Sequence, residues 1–104
     1  MANKVLKHQV LFRFKPETPG FAITQVEKAF TGLKDVIPGI VDFEWGINAS
    51  TEGKSDGFTH GFVLTFADRK GVEDYLVHPA HKEFGKLVST HVDKVFVFDF
   101  HPVL

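Results

Sequence analysis

The stretch Val92-Asp93-Lys94-Val95-Phe96-Val97-Phe98-Asp99-Phe100 near the C-terminus decides the fold. Its centre is apolar at successive positions, so as a strand it presents hydrophobic side chains on both faces and needs cover on both. Further strands are legible upstream. From Lys7 to Lys15 the chain alternates, with His8, Val10, Phe12 and Phe14 opposing Gln9, Leu11 and Arg13. Ile40 to Asn48 repeats the pattern, Val41, Phe43, Trp45 and Ile47 standing against Asp42, Glu44 and Gly46. Phe58 to Phe66 places Phe58, His60, Phe62, Leu64 and Phe66 on one face.

Helical period fills the intervals. Phe21, Ile23, Val26, Phe30 and Leu33 lie at helical spacing between Phe21 and Val36, bounded by Pro19-Gly20 and Pro38-Gly39. A second helical region runs from about Arg69 to Thr90 with Asp68 as its N-cap, and Pro79 divides it near His78. Ala49 to Gly57 is small and polar and reads as an exposed, mobile connection between strands. The order βαββαβ, joined by right-handed crossovers, predicts one α+β, ferredoxin-like domain over residues 1–104. Its four-stranded antiparallel sheet has the order 4-1-3-2, with both helical regions on one face. The other face then carries Leu11, Val63, Phe96, Phe98 and Phe100 beside Gln9, Arg13, Thr59 and Thr65, which is too apolar to leave in water. A second copy of the same sheet is the expected cover, giving a homodimer through the sheet face.

Composition narrows the function classes. With 104 residues, 43% hydrophobic and 24% charged, the chain suits a single globular core, and twelve phenylalanines make that core aromatic. A net charge of -1 without a basic run argues against a nucleic-acid partner. The absence of cysteine excludes disulfides, thiolate metal sites and thiol nucleophiles. No stretch approaches the roughly 20 apolar residues of a membrane span, and the first residues lack the apolar core of a secretory signal. A cytoplasmic protein with no membrane partner is therefore expected.

Chemistry points to one region. In a 4-1-3-2 sheet the first and third strands are neighbours, so His8 and His60 face the helices side by side. Tyr75, His78 and His81 follow at intervals of three on the covering segment, the spacing at which helical residues share a side. Both sets converge on one expected cavity, where His81, with an ordinary pKa of about 6.5, is suited to moving a proton near neutral pH. Each histidine also has a structural alternative: His60 a satisfied core group, His78 a cap on the broken helix, His91 and His101 exposed residues near chain ends. No metal site is expected, because there is no His-x-x-x-His with Glu and a spacing of three across a proline serves one ion poorly. Neither a nucleophile elbow nor a Gly-rich phosphate loop follows any strand.

The segments His8-x-Val10-Leu11-Phe12-x-Phe14, Pro38-Gly39, Trp45-Gly46, Gly57-Phe58-Thr59-His60 and Tyr75-Leu76-Val77-His78-Pro79-Ala80-His81-x-x-Phe84 together resemble the stress-responsive A/B barrel (Dabb) family. The resemblance runs in order along nearly the whole chain. It implies a ferredoxin-like domain that pairs through its sheets into a dimeric α+β barrel. By likeness to the family's polyketide cyclase chemistry it also implies catalysis without a cofactor. His81 would take a proton alpha to a carbonyl, Tyr75 would polarise a substrate oxygen, and His8 and His60 would orient these groups or the ligand. The implied ligand-binding wall comprises Val10, Val26, Phe30, Phe62, Leu64, Val92, Val95 and Val97, with His78 beside it. The bulk of Phe62 and Leu64 implies a small aromatic or polyketide-like molecule rather than one with a long alkyl tail. The competing expectations are a non-catalytic stress-response or ligand-carrier protein, and a cofactor-free monooxygenase or haem-handling relative.

Overall fold

Alternating hydrophobicity becomes a single sheet. The structure, a computed structural model, describes residues 4–103. Strands β1 (Leu6–Phe14), β2 (Ile40–Ile47), β3 (His60–Phe66) and β4 (Val92–Phe100) pair antiparallel in the order β2-β3-β1-β4. Helices α1 (Gly20–Val36), α2 (Arg69–Val77) and α3 (Pro79–His91) complete a ferredoxin-like α+β fold, the class and strand order the sequence predicts. No helix among the described residues is long and apolar enough to cross a membrane.

The helix boundaries follow local chemistry. Asp68 accepts a hydrogen bond from the Gly71 N–H at 3.1 Å and so starts α2. Pro79 has no N–H to continue that helix and sits instead in the first turn of α3. His78 before it takes the extended backbone that precedes proline (φ −65°, ψ 137°), and its Nδ1 accepts from the Ala80 N–H at 3.0 Å. Its ring therefore caps the start of α3, whereas sequence reasoning assigns it to the end of α2.

Three expected side-chain placements differ from the sequence reading. In α1 the buried stripe is Ala22, Val26, Phe30 and Leu33, and Phe21 is 77% exposed, because one residue of offset turns it roughly 100° off that stripe. In β2 the pairing slips between Ile40 and Asp42, so Ile40 faces Phe66 and is buried while Val41 turns to solvent. Phe58 precedes β3 rather than belonging to it; its ring lies near Phe96 (6.4 Å) and under the Arg13 guanidinium (5.7 Å), on the outer side of the sheet. Gly57, at φ +79°, makes that turn, and a Cβ there would stand 2.8 Å from Arg13 Cδ.

The core lies between the helices and the inward side of the sheet. Phe30 is its hub, with ring centroids 4.5 Å from both Phe62 and Phe84 and 5.7 Å from Phe12. On the outer face Phe96, Phe98 and Phe100 stand about half-exposed beside Leu11 and Val63, because β4 alternates between two apolar sides and the helices cover only one. Thr65, placed by the sequence on this face, is nearly buried and accepts a hydrogen bond from Lys7 Nζ at 2.8 Å.

Candidate functional site

Strand register places a carboxylate directly opposite the first histidine. His8 of β1 pairs with Asp99 of β4, both pointing toward the helices, and His8 Nδ1 lies 2.6 Å from Asp99 Oδ1. That contact assigns the Nδ1 proton to the carboxylate side and leaves Nε2, which has no hydrogen-bond partner among the described residues. The Tyr75 ring, from the last turns of α2, packs edge-on against His8 at 5.6 Å. The His81 ring, from the first turn of α3, stands 4.5 Å from the Tyr75 ring. The three rings form a row with Tyr75 in the middle. The break at His78-Pro79 makes this possible: it folds α3 back so that residues six apart meet across the chain turn, while His78 between them is occupied with its cap.

The row lines a cavity of about 300 Å³. Of the residues implied by the sequence, His8, Val10, Phe30, Tyr75, His81, Val95 and Val97 line it. Val26, Phe62, Leu64 and Val92 lie buried in the core behind the lining, and His78 and His60 stand outside it. Phe12, Leu76, Phe84, Gly85, Val88 and Asp99 complete the wall without having been singled out beforehand. Asp99 had a partial signal: it is in phase with Val95 and Val97 on β4, but so is Asp93, which the register shift beside Phe14 sets apart and which pairs with Arg13 instead. The half-exposed Val95 and Val97 mark the open side of the cavity along the β4 edge.

Electrostatics suit proton transfer. Burial lowers the His81 pKa from its ordinary value of 6.5, the positive charge of a protonated His8 lowers it further, and a backbone hydrogen bond with Leu76 works against both. At neutral pH His81 is therefore an unprotonated base. Burial pushes the Tyr75 phenol the other way, upward, so it stays protonated and remains a donor. No described residue accepts a hydrogen bond from that hydroxyl, and Tyr75 lines the cavity, so its donor is open to a guest.

His60 has different surroundings. Its Nε2 is 2.7 Å from Glu27 Oε2, its Nδ1 is 2.8 Å from Thr59 Oγ1, and the Trp45 ring stacks on it at 5.9 Å and 6°. Both ring nitrogens are engaged. A larger hollow of about 790 Å³ opens on the outer face beside His60 and the Asn48–Phe58 segment. It contains neither Tyr75 nor His81, so the smaller cavity, where polar groups converge on an apolar wall, is the better site for the chemistry above. Among the described residues no group of three or more His, Asp or Glu side chains is disposed to hold a metal ion.

Known proteins share this arrangement of strands and helices. The stress responsive A/B barrel domain family matches residues 6–102. Olivetolic acid cyclase of Cannabis sativa is 31% identical over 97 residues, covering 93% of this chain and 96% of its own. Stress-response A/B barrel domain-containing protein HS1 of Arabidopsis thaliana is 35% identical over 101 residues, covering 97% and 93%. Among solved structures, a dimeric ferredoxin-like protein from Jannaschia sp. CCS1 superposes with a TM-score of 0.82 at 28% identity, over 94% of this chain and 99% of that one. Sequence match and strand order agree: the chain belongs to the stress responsive A/B barrel domain family.

Proposed function

We propose that this protein is a homodimer that binds a small, mostly apolar, aromatic or polyketide-like molecule in the His8–Tyr75–His81 cavity and carries out cofactor-free acid–base chemistry on it, of the cyclase or lyase type. The observation that carries this reading is the row of three rings, in which an unprotonated imidazole flanks a phenol with an unused donor. His81 takes the proton from a carbon alpha to a carbonyl, and Tyr75 donates to the carbonyl oxygen as negative charge builds on it. The resulting enolate closes on a second carbonyl of the same molecule, and protonated His81 returns its proton to the new alkoxide. His8, held through Nδ1 by Asp99, directs Nε2 toward the guest. The volume, about 300 Å³, is at the small end of ligand pockets and suits one ring with short substituents.

The relative named a cyclase supports the reaction class, and the relative described as dimeric supports association through the half-exposed Phe96, Phe98 and Phe100. Turnover of an aromatic polyketide precursor tests the chemistry. His81→Gln is expected to lower it by roughly 10²–10⁴-fold with the unfolding midpoint nearly unchanged, and Tyr75→Phe to lower it as well. Unchanged turnover in both variants refutes the assignment. A carrier without turnover is the second reading, favoured by the apolar wall of Val10, Phe84 and Val88; in that case a ligand protects the fold and no product forms. For the dimer, Phe98→Asp is expected to halve the mass seen by sedimentation, and a wild-type chain already monomeric at micromolar concentration rules the interface out.

A further inference from the structure

Glycine inside a helix is destabilising relative to alanine, because the unfolded chain has more conformations to lose and the helix gains no side chain. Gly85 carries that cost in the middle of α3. Its backbone is helical, without the positive φ that favours glycine at Gly53 and Gly57. Packing within the chain does not require it either. A Cβ at Gly71 would press on Phe66 Cδ1 at 3.1 Å, whereas a Cβ at Gly85 would meet no atom within 4 Å. Gly32 in α1 is equally unconstrained, so the cost alone singles out neither; position does, since Gly85 lines the 300 Å³ cavity and Gly32 lines neither of the two hollows described above.

The wall of that cavity divides by depth. His8, Val10, Phe12, Phe30, Tyr75 and Phe84 are buried and form its interior. Leu76, Gly85, Val95, Val97 and Asp99 line it too, yet all are exposed, and a residue that both lines a cavity and meets solvent stands at its mouth. Val95, Val97 and Asp99 pair with the inward Phe12, Val10 and His8, so this mouth is on the helix side of the sheet, opposite the face that Phe96, Phe98 and Phe100 give to pairing. Gly85 follows His81 by four residues on α3, one turn along the same helix face. Its missing side chain therefore widens the opening beside His81. We propose that Gly85 is a specificity-determining residue, a notch through which an uncharged alkyl substituent on the bound ring runs out of the cavity across Leu76, Val95 and Val97; this rests on the small-molecule reading given above. Those three side chains are each about half-exposed and gain burial against an alkyl chain. The one charge at the mouth, Asp99, is engaged with His8 and disfavours a carboxylate in the chain's place.

The test is calorimetric titration of the full chain in its native assembly with 4-methylphenol and 4-butylphenol, two uncharged rings that differ only in the chain they carry. Wild type is expected to bind 4-butylphenol more tightly. Gly85→Ala is expected to weaken 4-butylphenol about tenfold while changing 4-methylphenol less than about threefold, and Gly85→Leu to widen that gap. Alanine favours helix, so Gly85→Ala is also expected to raise the unfolding midpoint by about 2–8 °C. Gly32→Ala should raise it likewise and leave both affinities alone. A more stable fold that has lost its preference for the longer chain is a combination that a purely structural role for Gly85 does not produce. An unchanged ratio of the two affinities in both Gly85 variants overturns the proposal, as does a wild-type chain that binds neither phenol or binds them equally. Neither readout involves turnover: absent cyclase or lyase activity with the ratio shifted as expected removes the catalytic assignment alone, and normal activity with an unshifted ratio removes this one alone.

Discussion

His8 and His60 stand at the same depth on neighbouring strands, each 5% exposed and each within 2.7 Å of a carboxylate, yet they leave different chemistry behind them. His8 spends one ring nitrogen on Asp99 and faces Tyr75 with the other unbonded. His60 spends both, on Glu27 and Thr59, and a flat Trp45 ring covers it. One end of the sheet therefore opens on a cavity and the other is closed on its helix side. The lesson is that residue type and burial do not identify a reactive histidine; what matters is which nitrogen is left over and what space it faces.

The aromatic hub between the two ends is where the comparison breaks most completely. Phe30 touches the His8 cavity and also packs at a tilt against Phe62, whose ring neighbours His60, so Phe30→Ala is expected to destabilise the fold by about 3–5 kcal/mol in urea unfolding. Both ends should loosen together; a loss of less than about 1 kcal/mol would mean that they are held separately. Next come the carboxylates. Glu27→Gln and Asp99→Asn each remove a charged partner from an imidazole, an effect of about 1.5–3 kcal/mol before solvent screening reduces it. Glu27→Gln should cost more, since the Glu27 side chain is 19% exposed against 29% for Asp99. The reverse order in denaturant titrations would show that exposure does not rank the two pairs.

A smaller effect sharpens the His8 end. Because the folded pKa of His81 lies below its ordinary 6.5, the unfolded chain binds a proton in that window that the folded chain does not. The contribution is fully present above about pH 6.5 and is lost as pH falls through the folded value, so stability rises with pH across the window. His81→Gln should flatten this part of the profile of unfolding midpoints, and an unchanged slope would place the titration elsewhere. Least of all, His78→Ala removes only the cap on α3, with a loss of about 1 kcal/mol. Its consequence for turnover tests whether the cap fixes the angle that brings His81 to Tyr75.

Much of this was readable beforehand. Period-two alternation in β1 and β3, the proline at residue 79 and the Asp68 cap are local features, and local sterics decide them. Phe21 and Val41 misled for an equally local reason: an apolar residue near an element boundary fits either of two adjacent phases, and only packing selects between Phe21 and Ala22 or between Val41 and Ile40. The spacing of Tyr75, His78 and His81 suggested a shared helical face, whereas Tyr75 and His81 meet through a chain turn and His78 drops out to cap it.

By itself, then, the sequence determined the order of strands and helices, the inward placement of His8 and His60 and the apolar excess of β4, because backbone periodicity and proline sterics act within a few residues. Only the tertiary structure decided which carboxylate each histidine meets, and hence which of them retains a free nitrogen. Asp99 lies 91 positions from His8, and Glu27 lies 33 from His60. Contacts at that distance are set by strand register and helix packing, which no local pattern encodes.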